Sequence, residues 1–404
     1  MEASSRAVEP RLDPTARRSR AATGPRTPAT WYERYRLAIL TYLATRVLLI
    51  AVAIIDGWLH SRSFTHEIGN WDGYWYQLMA NHGYPSHFYY GKSTLGFFPL
   101  YPIAIWALMQ LVFGSAATAG LIISTIGGLV GTVLVQQLAT EWWDEASGRR
   151  AAVLFCLFPG SVVFSMVYSE GILIPLAAGS LLALQHRRWL LAGALSGLAT
   201  AVDVTALPLV LAIAVSAALE LRRQGWRWRD RDMRRVLAAP VLSVTGIVAF
   251  ALYLWARVGS PTASLRAQRV GWHEKSDPFA IVHLVTRLAH QISLFKQFDS
   301  PALNLNYVVG LVGVFILVGG IVLLCRRRGR VPIEVLLYSL GVVYLTVTSE
   351  YVPPNPRLLI TGFPIVVVYA RYLDGRRFKW LCAVMTVLLI ELSGLTFVGI
   401  TLRP

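Results

Sequence analysis

Long apolar stretches recur along this chain, and they constrain its fold more than any other feature. The 404 residues are 55% hydrophobic, which exceeds what a soluble domain of this length needs to bury, so the excess is predicted to face lipid. Several stretches are shorter than the roughly 20 residues that a straight membrane-spanning helix needs. The sequence therefore predicts an all-α polytopic membrane protein with about eleven transmembrane helices. The predicted spans lie near residues 37–58, 116–139, 151–168, 171–185, 189–202, 204–220, 236–256, 305–325, 333–349, 358–370 and 380–401.

Basic residues determine the predicted orientation of these spans. The net charge is +16, but the lysines and arginines fall in short runs between apolar stretches, as in cytoplasmic loops and unlike a nucleic-acid-binding face. Residues 97–113 could either cross the membrane or lie in its interface. If they lie in the interface, 27 of the 38 lysines and arginines are cytoplasmic, which favours this interpretation. The N-terminus is then cytoplasmic, the C-terminus is outside, and the loops 59–115 and 257–304 are extracytoplasmic.

The chain divides into a short tail and one domain. Residues 1–30 are rich in Arg, Pro, Ala, Ser and Thr, and they are predicted to form a disordered basic cytoplasmic tail. Residues 31–404 are predicted to form a single multi-pass domain in the plasma membrane. The three cysteines lie far apart, with no disulfide framework or zinc spacing, and no histidine pair in the first loop has the helical spacing of a metal site. No metal and no cofactor are therefore expected.

Residues 70–102 contain the side chains that most strongly indicate chemistry. Asp72 lies between Trp71 and Trp75, in a loop just after the first span. A carboxylate in an aromatic-rich loop at a membrane surface is costly to place there unless it has a function. The alternative is structural, because Asp72 could cap a helix that starts near Gly73, beside a belt of interfacial aromatic residues. Spacing alone does not separate these two interpretations.

Four short sequences in this segment carry a family resemblance: WD at 71–72, GY at 83–84, FFP at 97–99 and YP at 101–102. Together they resemble the first outer loop of the PIG-V mannosyltransferase family, whose members are integral-membrane glycosyltransferases with the GT-C fold. The similarity extends over residues 37–372. It implies a GT-C-type domain whose long first extracytoplasmic loop contains an interfacial helix, and it implies an inverting mannosyltransferase.

The resemblance also implies a role for Asp72. As general base it would take the proton of an acceptor hydroxyl while that oxygen attacks C1 of the sugar and the phosphate leaves from the opposite face. Trp71 and Trp75 offer flat apolar faces of the kind that stack on sugar rings. The expected donor is polyprenyl-phosphate mannose, whose tail remains among the membrane lipids, and the expected acceptor is a glycolipid or a protein. No nucleic acid is expected as a partner.

Other outer segments carry further predicted substrate contacts. Glu170 belongs to a Tyr-Ser-Glu sequence that resembles the family, and Arg357 belongs to a Pro-Arg near a late outer loop, where it could form two bonds to a phosphate. Cations of the second large loop could stabilise the leaving phosphate. Each of these residues could instead be an ordinary solvated or membrane-surface group. The remaining candidates are His82, Lys92, Gln268, Arg269, Trp272 and His273.

One position departs from the family pattern. Many relatives carry an arginine close to the position where this chain has Asp203, at the predicted outer end of the fifth span. An acid in place of a base changes which groups an acceptor or a phosphate would meet there. The departure therefore bears on the identity of the acceptor more than on the fold.

Two other functions are compatible with parts of this pattern. The same architecture would accept a polyprenyl-phosphate arabinose or glucose donor in place of mannose. A membrane transporter or lipid-carrier flippase would also have many helices, but it would place its charged groups near the bilayer midplane and show internal repeats. Here the acids are predicted to gather at one surface, and the two halves of the sequence show no clear repeat. These observations favour the transferase.

Overall fold

The described part of the chain consists of helices and the loops that join them. The computed structural model describes residues 30–111, 114–225, 231–296, 304–399 and 402, and it contains no β-sheet within these ranges. The tail predicted at residues 1–30 lies outside them except for Thr30. Short 3-10 helices lie at Thr94–Gly96, Pro159–Ser165 and Val204–Ala206. The α-helices are α1 (Trp31–Leu59), α2 (Phe64–Ile68), α3 (Asp72–His82), α4 (Leu100–Leu111), α5 (Ala116–Trp142), α6 (Glu145–Leu157), α7 (Glu170–Gln185), α8 (Trp189–Thr200), α9 (Leu207–Arg223), α10 (Arg231–Ser243), α11 (Thr245–Val258), α12 (Ala263–Gly271), α13 (Ala280–Lys296), α14 (Leu305–Cys325), α15 (Ile333–Val347), α16 (Pro356–Thr361), α17 (Phe363–Val367), α18 (Tyr369–Tyr372) and α19 (Gly375–Phe397).

Several of these helices are long and apolar enough to cross a membrane. Among the described residues five qualify, namely α1, α5, Val204–Arg223, α14 and α19. The number is seven if α6 with the 3-10 helix after it and α10 with α11 each form one bent span. The shorter apolar helices α7, α8, α15 and Phe363–Tyr372 lie at the other four predicted spans. The predicted all-α, multi-pass architecture is confirmed, and the orientation of the spans and the crossing of these four stay predictions.

The ambiguous stretch 97–113 contains one short helix. This helix, α4, has 12 residues. At 1.5 Å per residue such a helix is about 18 Å long, well short of the roughly 30 Å hydrocarbon core. It buries Tyr101 and Ile105 while it exposes Ile103 and Trp106. Its length and its one buried face are compatible with a helix along the surface of the bundle, but α8 has the same length, so the interfacial position of this stretch stays a prediction.

An arginine in the middle of α1 holds the bend in the neighbouring span. Arg46 is 3% exposed, and its guanidinium donates to the backbone oxygen of Ser161 (2.6 Å) and to the hydroxyls of Ser161 (3.1 Å) and Ser165 (2.9 Å). It also lies over the Tyr42 ring, 4.9 Å from the centroid. The bend of 71° after α6 breaks the helical hydrogen-bond ladder, and polar groups freed in an apolar surrounding need partners. Arg46 supplies them and so directs the chain toward residues 166–170.

The loop between α1 and α5 is fixed to the bundle through its backbone. The amide of Val167 donates to the oxygen of Ile68 (2.9 Å), and the amide of Leu100 donates to the oxygen of Ala201 (3.0 Å). Each bond joins the loop to a turn between two helices of the bundle. One bond lies before α3 and the other after it, so the part of the loop that contains α3 is attached to the bundle on both sides.

The start of α7 is held against α5 by small residues. A Cβ atom added at Gly127 would overlap the backbone oxygen of Gly171, and one added at Gly171 would overlap the backbone of Ser124. Only glycine allows two helices to approach so closely. The close approach fixes the backbone of Glu170, the residue immediately before Gly171.

The contacts of Arg46 predict a specific loss of stability. Replacing Arg46 with Leu leaves the backbone oxygen of Ser161 without its donor, and each buried polar group left unpaired costs about 1–3 kcal/mol. We expect Arg46→Leu to lower the thermal midpoint in detergent by several degrees, measured by temperature-dependent loss of the monodisperse peak in size-exclusion chromatography. Arg36→Leu, at an exposed position of the same helix, is the control and should leave the midpoint unchanged. Equal midpoints for the two variants would contradict this role of Arg46.

Candidate functional site

Three charged side chains from distant parts of the chain meet at one place. Nη1 of Arg357 donates to Oδ2 of Asp72, and Nε of the same guanidinium donates to Oε1 of Glu170. The side chain of Asp72 is 25% exposed, that of Arg357 17% and that of Glu170 4%. One guanidinium thus bridges two carboxylates, of which Asp72 is open to solvent and Glu170 is closed off.

Local sequence fixes the position of Arg357. Asn355 is the N-cap of α16, and its Oδ1 accepts from the amide of Leu358 at 2.9 Å. Pro356 occupies the first helical position, where the missing amide hydrogen costs nothing. Arg357 follows, with its Cζ 4.7 Å from the centroid of the buried Tyr168 ring. The cap, the proline and the ring together hold the guanidinium in front of the two carboxylates.

Asp72 is held by an unusual backbone turn. It is the first residue of α3, and Trp71 before it has φ of +59°, a conformation that costs a non-glycine residue of order 1–3 kcal/mol. The indole Nε1 of Trp71 donates to the backbone oxygen of Thr396 at 3.1 Å, which holds the turn. The amide of Asp72 donates to the Tyr168 hydroxyl at 3.3 Å. Trp71 therefore positions Asp72 through its backbone, and its indole nitrogen is engaged by the protein.

Buried hydroxyl groups hold the two residues before Glu170. The Tyr76 hydroxyl donates to Oγ of Ser169 at 2.9 Å, and Oγ of Ser124 donates to the backbone oxygen of Tyr168 at 3.0 Å. The second carboxylate oxygen of Glu170, Oε2, is buried and has no hydrogen-bond partner within the described ranges. This carboxylate therefore depends on Arg357 for its stabilisation.

The Tyr76 hydroxyl remains a proton donor in this surrounding. Burial, followed by the nearby carboxylates of Asp72 and Asp203, holds the pKa of Tyr76 well above its ordinary value. Asp203 thus contributes negative potential to the site although no hydrogen bond joins it to Asp72 in the described structure. Its Oδ1 accepts from the amide and from the hydroxyl of Thr205, both at 2.8 Å, and caps the turn before α9.

Aromatic rings from the two long loops form a wall beside α3. Trp75 stacks on Phe97, with centroids 6.1 Å apart and planes 15° apart. Trp272 meets Trp75 edge-on at 5.3 Å, and Nζ of Lys92 lies 4.8 Å from the centroid of the Trp272 ring. Three predicted substrate-binding residues, Trp75, Lys92 and Trp272, are therefore neighbours.

Gln268 joins the second long loop to the first. Its Nε2 donates to the backbone oxygen of Gly96 at 2.9 Å, and its backbone oxygen accepts from the amide of Trp272 at 3.1 Å. A Cβ atom at Gly96 would lie 3.0 Å from Nε2 of Gln268, so a side chain there would press on this contact. Gln268 thus attaches α12, which ends beside Trp272, to the first loop.

Three other predicted residues lie away from the charged centre. His82 ends α3 and is exposed, and Arg269 and His273 are exposed in the second long loop. In the described chain none of them is a hydrogen-bond or ion-pair partner of Asp72 or Arg357. His273 has φ of +57°, which marks a tight turn directly after Trp272.

A clamp that sequence reasoning did not predict connects the second long loop to the segment before Arg357. The amide of Asp277 donates to the oxygen of Thr348 (2.7 Å), and that of Glu350 donates to the oxygen of Lys275 (3.2 Å). Nζ of Lys275 lies 3.0 Å from Oε2 of Glu350. The opposite charges of Lys275 and Glu350 are the only signal that could have suggested this pairing. Through the clamp, the loop that carries Trp272 and the segment that carries Arg357 form one unit.

The described residues contain no cluster of three or more His, Cys, Asp and Glu side chains that could hold a metal ion. At the Asp72 centre, the positive charge beside the carboxylates is supplied by Arg357. Chemically, Asp72 can accept a proton and Arg357 can bind an anion. Flat apolar ring surfaces lie close by, beside α3.

A second carboxylate pair lies at the base of the first loop. Glu67 is fully buried in α2, neither of its oxygens accepts a hydrogen bond within the described residues, and Nη1 of Arg62 lies 4.0 Å from Oε1. Burial, followed by the neighbouring carboxylate of Asp56, raises the pKa of Glu67 above its ordinary value of 4.5. The folded state therefore favours the protonated form of Glu67 over the carboxylate.

No family model and no curated protein matches the chain. Solved structures similar to it include the apo oligosaccharyltransferase of Archaeoglobus fulgidus, with a TM-score of 0.46 and 14% identity over 91% of this chain and 57% of that one. A complex of Archaeoglobus fulgidus AglB with an inhibitory peptide and a dolichol-phosphate gives 0.49 and 14% over 90% and 56%. The form tethered to an acceptor peptide gives 0.45 and 15% over 93% and 56%. The chain spans a little over half the length of these proteins.

The raised pKa of Glu67 predicts a pH-dependent effect of removing its charge. A carboxyl group with a raised folded-state pKa stabilises the fold below its unfolded pKa, and this contribution is lost as the pH rises through the folded value. Glu67→Gln stays neutral throughout, so we expect its thermal midpoint to exceed that of the wild type at pH 8. The difference should shrink as the pH falls toward 4.5, the ordinary pKa of the group.

The control for this prediction is Glu145→Gln, whose side chain is 52% exposed. It should follow the wild type at every pH, because an exposed carboxylate loses little on ionisation. A midpoint for Glu67→Gln that is lower than that of the wild type at pH 8 would show that the fold requires the Glu67 carboxylate in its charged form.

Proposed function

We propose that this chain is an integral-membrane glycosyltransferase of the GT-C fold, which transfers mannose from polyprenyl-phosphate mannose to a glycolipid or protein acceptor. The observation that carries the proposal is the bridge of Arg357 between Asp72 and Glu170. It joins a solvent-accessible base to a group that can bind a phosphate. Both residues belong to the segments that resemble the PIG-V family, and the resemblance supplies the sugar and the donor class.

The proposed reaction uses Asp72 as the base. The acceptor oxygen forms a bond to C1 of the sugar, the bond from C1 to the phosphate oxygen breaks, and the acceptor proton passes to the Asp72 carboxylate. The configuration at C1 inverts because the two oxygens occupy opposite faces. Asp72 is suited to this role because it is the more exposed of the two carboxylates at the site.

In this scheme Arg357 binds Asp72 first and the donor phosphate afterwards, while Glu170 stays bound to it. Its guanidinium has five N–H donors in a planar fork that suits phosphate oxygens, and an arriving donor phosphate competes with Asp72 for them. When Arg357 donates to the phosphate in place of Asp72, the carboxylate oxygen of Asp72 is free to accept the proton of the acceptor hydroxyl. Glu170, nearly closed off from solvent, keeps the arginine in place during the exchange.

The remaining predicted residues receive supporting roles in the proposal. Trp75 and Trp272 offer apolar ring faces to the sugar, and Lys92 brings a second cation to the aromatic wall. His82, Arg269 and His273, which are exposed, are proposed as contacts to the part of a substrate that extends into water.

The positions of the charges favour a transferase over a transporter. Asp72, Glu170 and Arg357 each lie in the first turn of a helix, at a helix end and not in the middle of a span. A transporter would place such groups near the bilayer midplane. We therefore propose a site at the extracytoplasmic surface of the plasma membrane, with the N-terminus in the cytoplasm. Polyprenyl-phosphate arabinose and glucose are the alternative donors.

Transfer of labelled mannose tests the role of Asp72. Membranes containing equal amounts of wild-type or Asp72→Asn protein receive labelled polyprenyl-phosphate mannose, and the label in lipid and protein fractions is counted. Asn keeps the size of Asp and cannot accept the proton, so we expect transfer to fall by about 100-fold or more. Asp232→Asn, whose side chain is 78% exposed, is the matched control and should transfer normally.

Two outcomes would contradict parts of the proposal. Equal transfer by Asp72→Asn and the wild type would mean that Asp72 is a structural residue at the start of α3. Absence of transfer from the mannose donor, together with transfer from the arabinose or glucose donor, would replace the sugar and keep the enzyme class.

A further inference from the structure

A cavity of about 140 Å³, lined by both polar and apolar side chains, lies beside the segment that leads to Arg357. Its walls come from α13, from the start of α14 and from residues 349–354. It has no part in the base and phosphate chemistry described above. We propose that this cavity binds a neutral sugar unit of the acceptor, and this inference rests on the proposed glycosyltransferase function.

The chemistry of the cavity wall fits a polyhydroxyl ligand. Arg287 and Asn304 offer hydrogen-bond donors, while Glu350 and Ser349 offer acceptors, and a sugar hydroxyl needs both kinds of partner. The described wall carries one cation, Arg287, and one anion, Glu350, whose charge Lys275 already compensates at 3.0 Å. The hydrogen-bond acceptors beside Arg287 suit the hydroxyls of a sugar, whereas a phosphate could use Arg287 but has no hydrogen to donate to these acceptors when it is fully ionised.

Flat apolar surfaces complete the cavity. The rings of Tyr307, Tyr351, Pro353 and Pro354 line the same space. Aromatic and proline rings of this kind pack against the C–H faces of a sugar ring, whose hydroxyls point outward to polar partners. A small cavity with a few polar groups and an apolar remainder has the usual composition of a ligand site.

The wall next to the catalytic segment is rigid. A Cβ atom at Gly310 would lie 2.7 Å from Cβ of Pro353, and one at Gly313 would overlap the backbone oxygen of Pro354, so α14 packs directly on this pair of prolines. The next residue, Asn355, caps the helix that carries Arg357. A sugar bound here would lie against the segment that positions the arginine.

Blocking the cavity tests the inference without any need for transfer activity. Purified full-length protein in detergent is titrated with the methyl glycosides of mannose, glucose and galactose, and binding is measured by saturation-transfer NMR. Ile281→Trp fills the cavity from α13, while Val282→Trp adds the same ring at the next position, which is 56% exposed and outside the cavity wall. We expect the wild type and Val282→Trp to bind at least one glycoside equally, and Ile281→Trp to bind it about tenfold more weakly, the equivalent of 1.4 kcal/mol.

Substitution of the cation provides a second measurement. Arg287→Ala should weaken glycoside binding several-fold, and in the transfer assay it should raise the KM for the acceptor while the KM for the polyprenyl-phosphate donor stays unchanged. Binding of inorganic phosphate in place of all three glycosides would overturn the sugar assignment. Glycoside binding that Ile281→Trp leaves intact would place the sugar site elsewhere.

The result also separates the two proposals. Loss of glycoside binding in Ile281→Trp supports a sugar site in the cavity even if none of the sugar donors gives transfer. Transfer that is abolished by Asp72→Asn, yet indifferent to Ile281→Trp and Arg287→Ala at every acceptor concentration, supports the enzyme and rejects the cavity as its acceptor site.

Discussion

The ion-pair bridge through Arg357 is the interaction on which the site depends. One guanidinium binds Asp72 from the loop after α1 and Glu170 from the start of α7. Without it the buried Glu170 carboxylate would lose its hydrogen-bond donor, and both acids would lose the positive charge that favours their ionised forms. The bridge therefore allows two acids to occupy one site, and it holds three distant parts of the chain together.

Sequence reasoning found each member of this bridge but not the bridge itself. Asp72, Glu170 and Arg357 were recognisable one by one, because short sequences around them resemble a family. Arg357 lies 285 residues after Asp72, and no local pattern indicates which acid it would contact. The same limit applies to the clamp near Lys275, whose partner is far along the chain. Positive φ at Trp71 was also unpredictable, since it results from tertiary contacts that override local preference.

The prediction of the helices from sequence had a similar limit. Hydropathy located the apolar stretches, but it treated 151–168 as one continuous span, whereas the structure bends by 71° after α6. Pro159 marks the break, because it lacks an amide hydrogen and disfavours helix in the residue before it. The hydrogen-bond partner of the freed polar groups is Arg46, which lies more than a hundred residues earlier in the chain. Composition therefore gave the class of fold, and packing determined the shape of the end of this span.

The carboxylates beside Arg357 have a consequence for the end of the proposed reaction. Asp72 and Glu170 are tethered anions, present at a high and fixed local concentration next to the cation that would hold the leaving phosphate. In the proposed reaction, polyprenyl phosphate would have to compete for Arg357 with Glu170 and, once the proton on Asp72 has passed to water, with the Asp72 carboxylate as well. The return of Asp72 to Arg357 would then release the product and restore the ion pair of the resting protein.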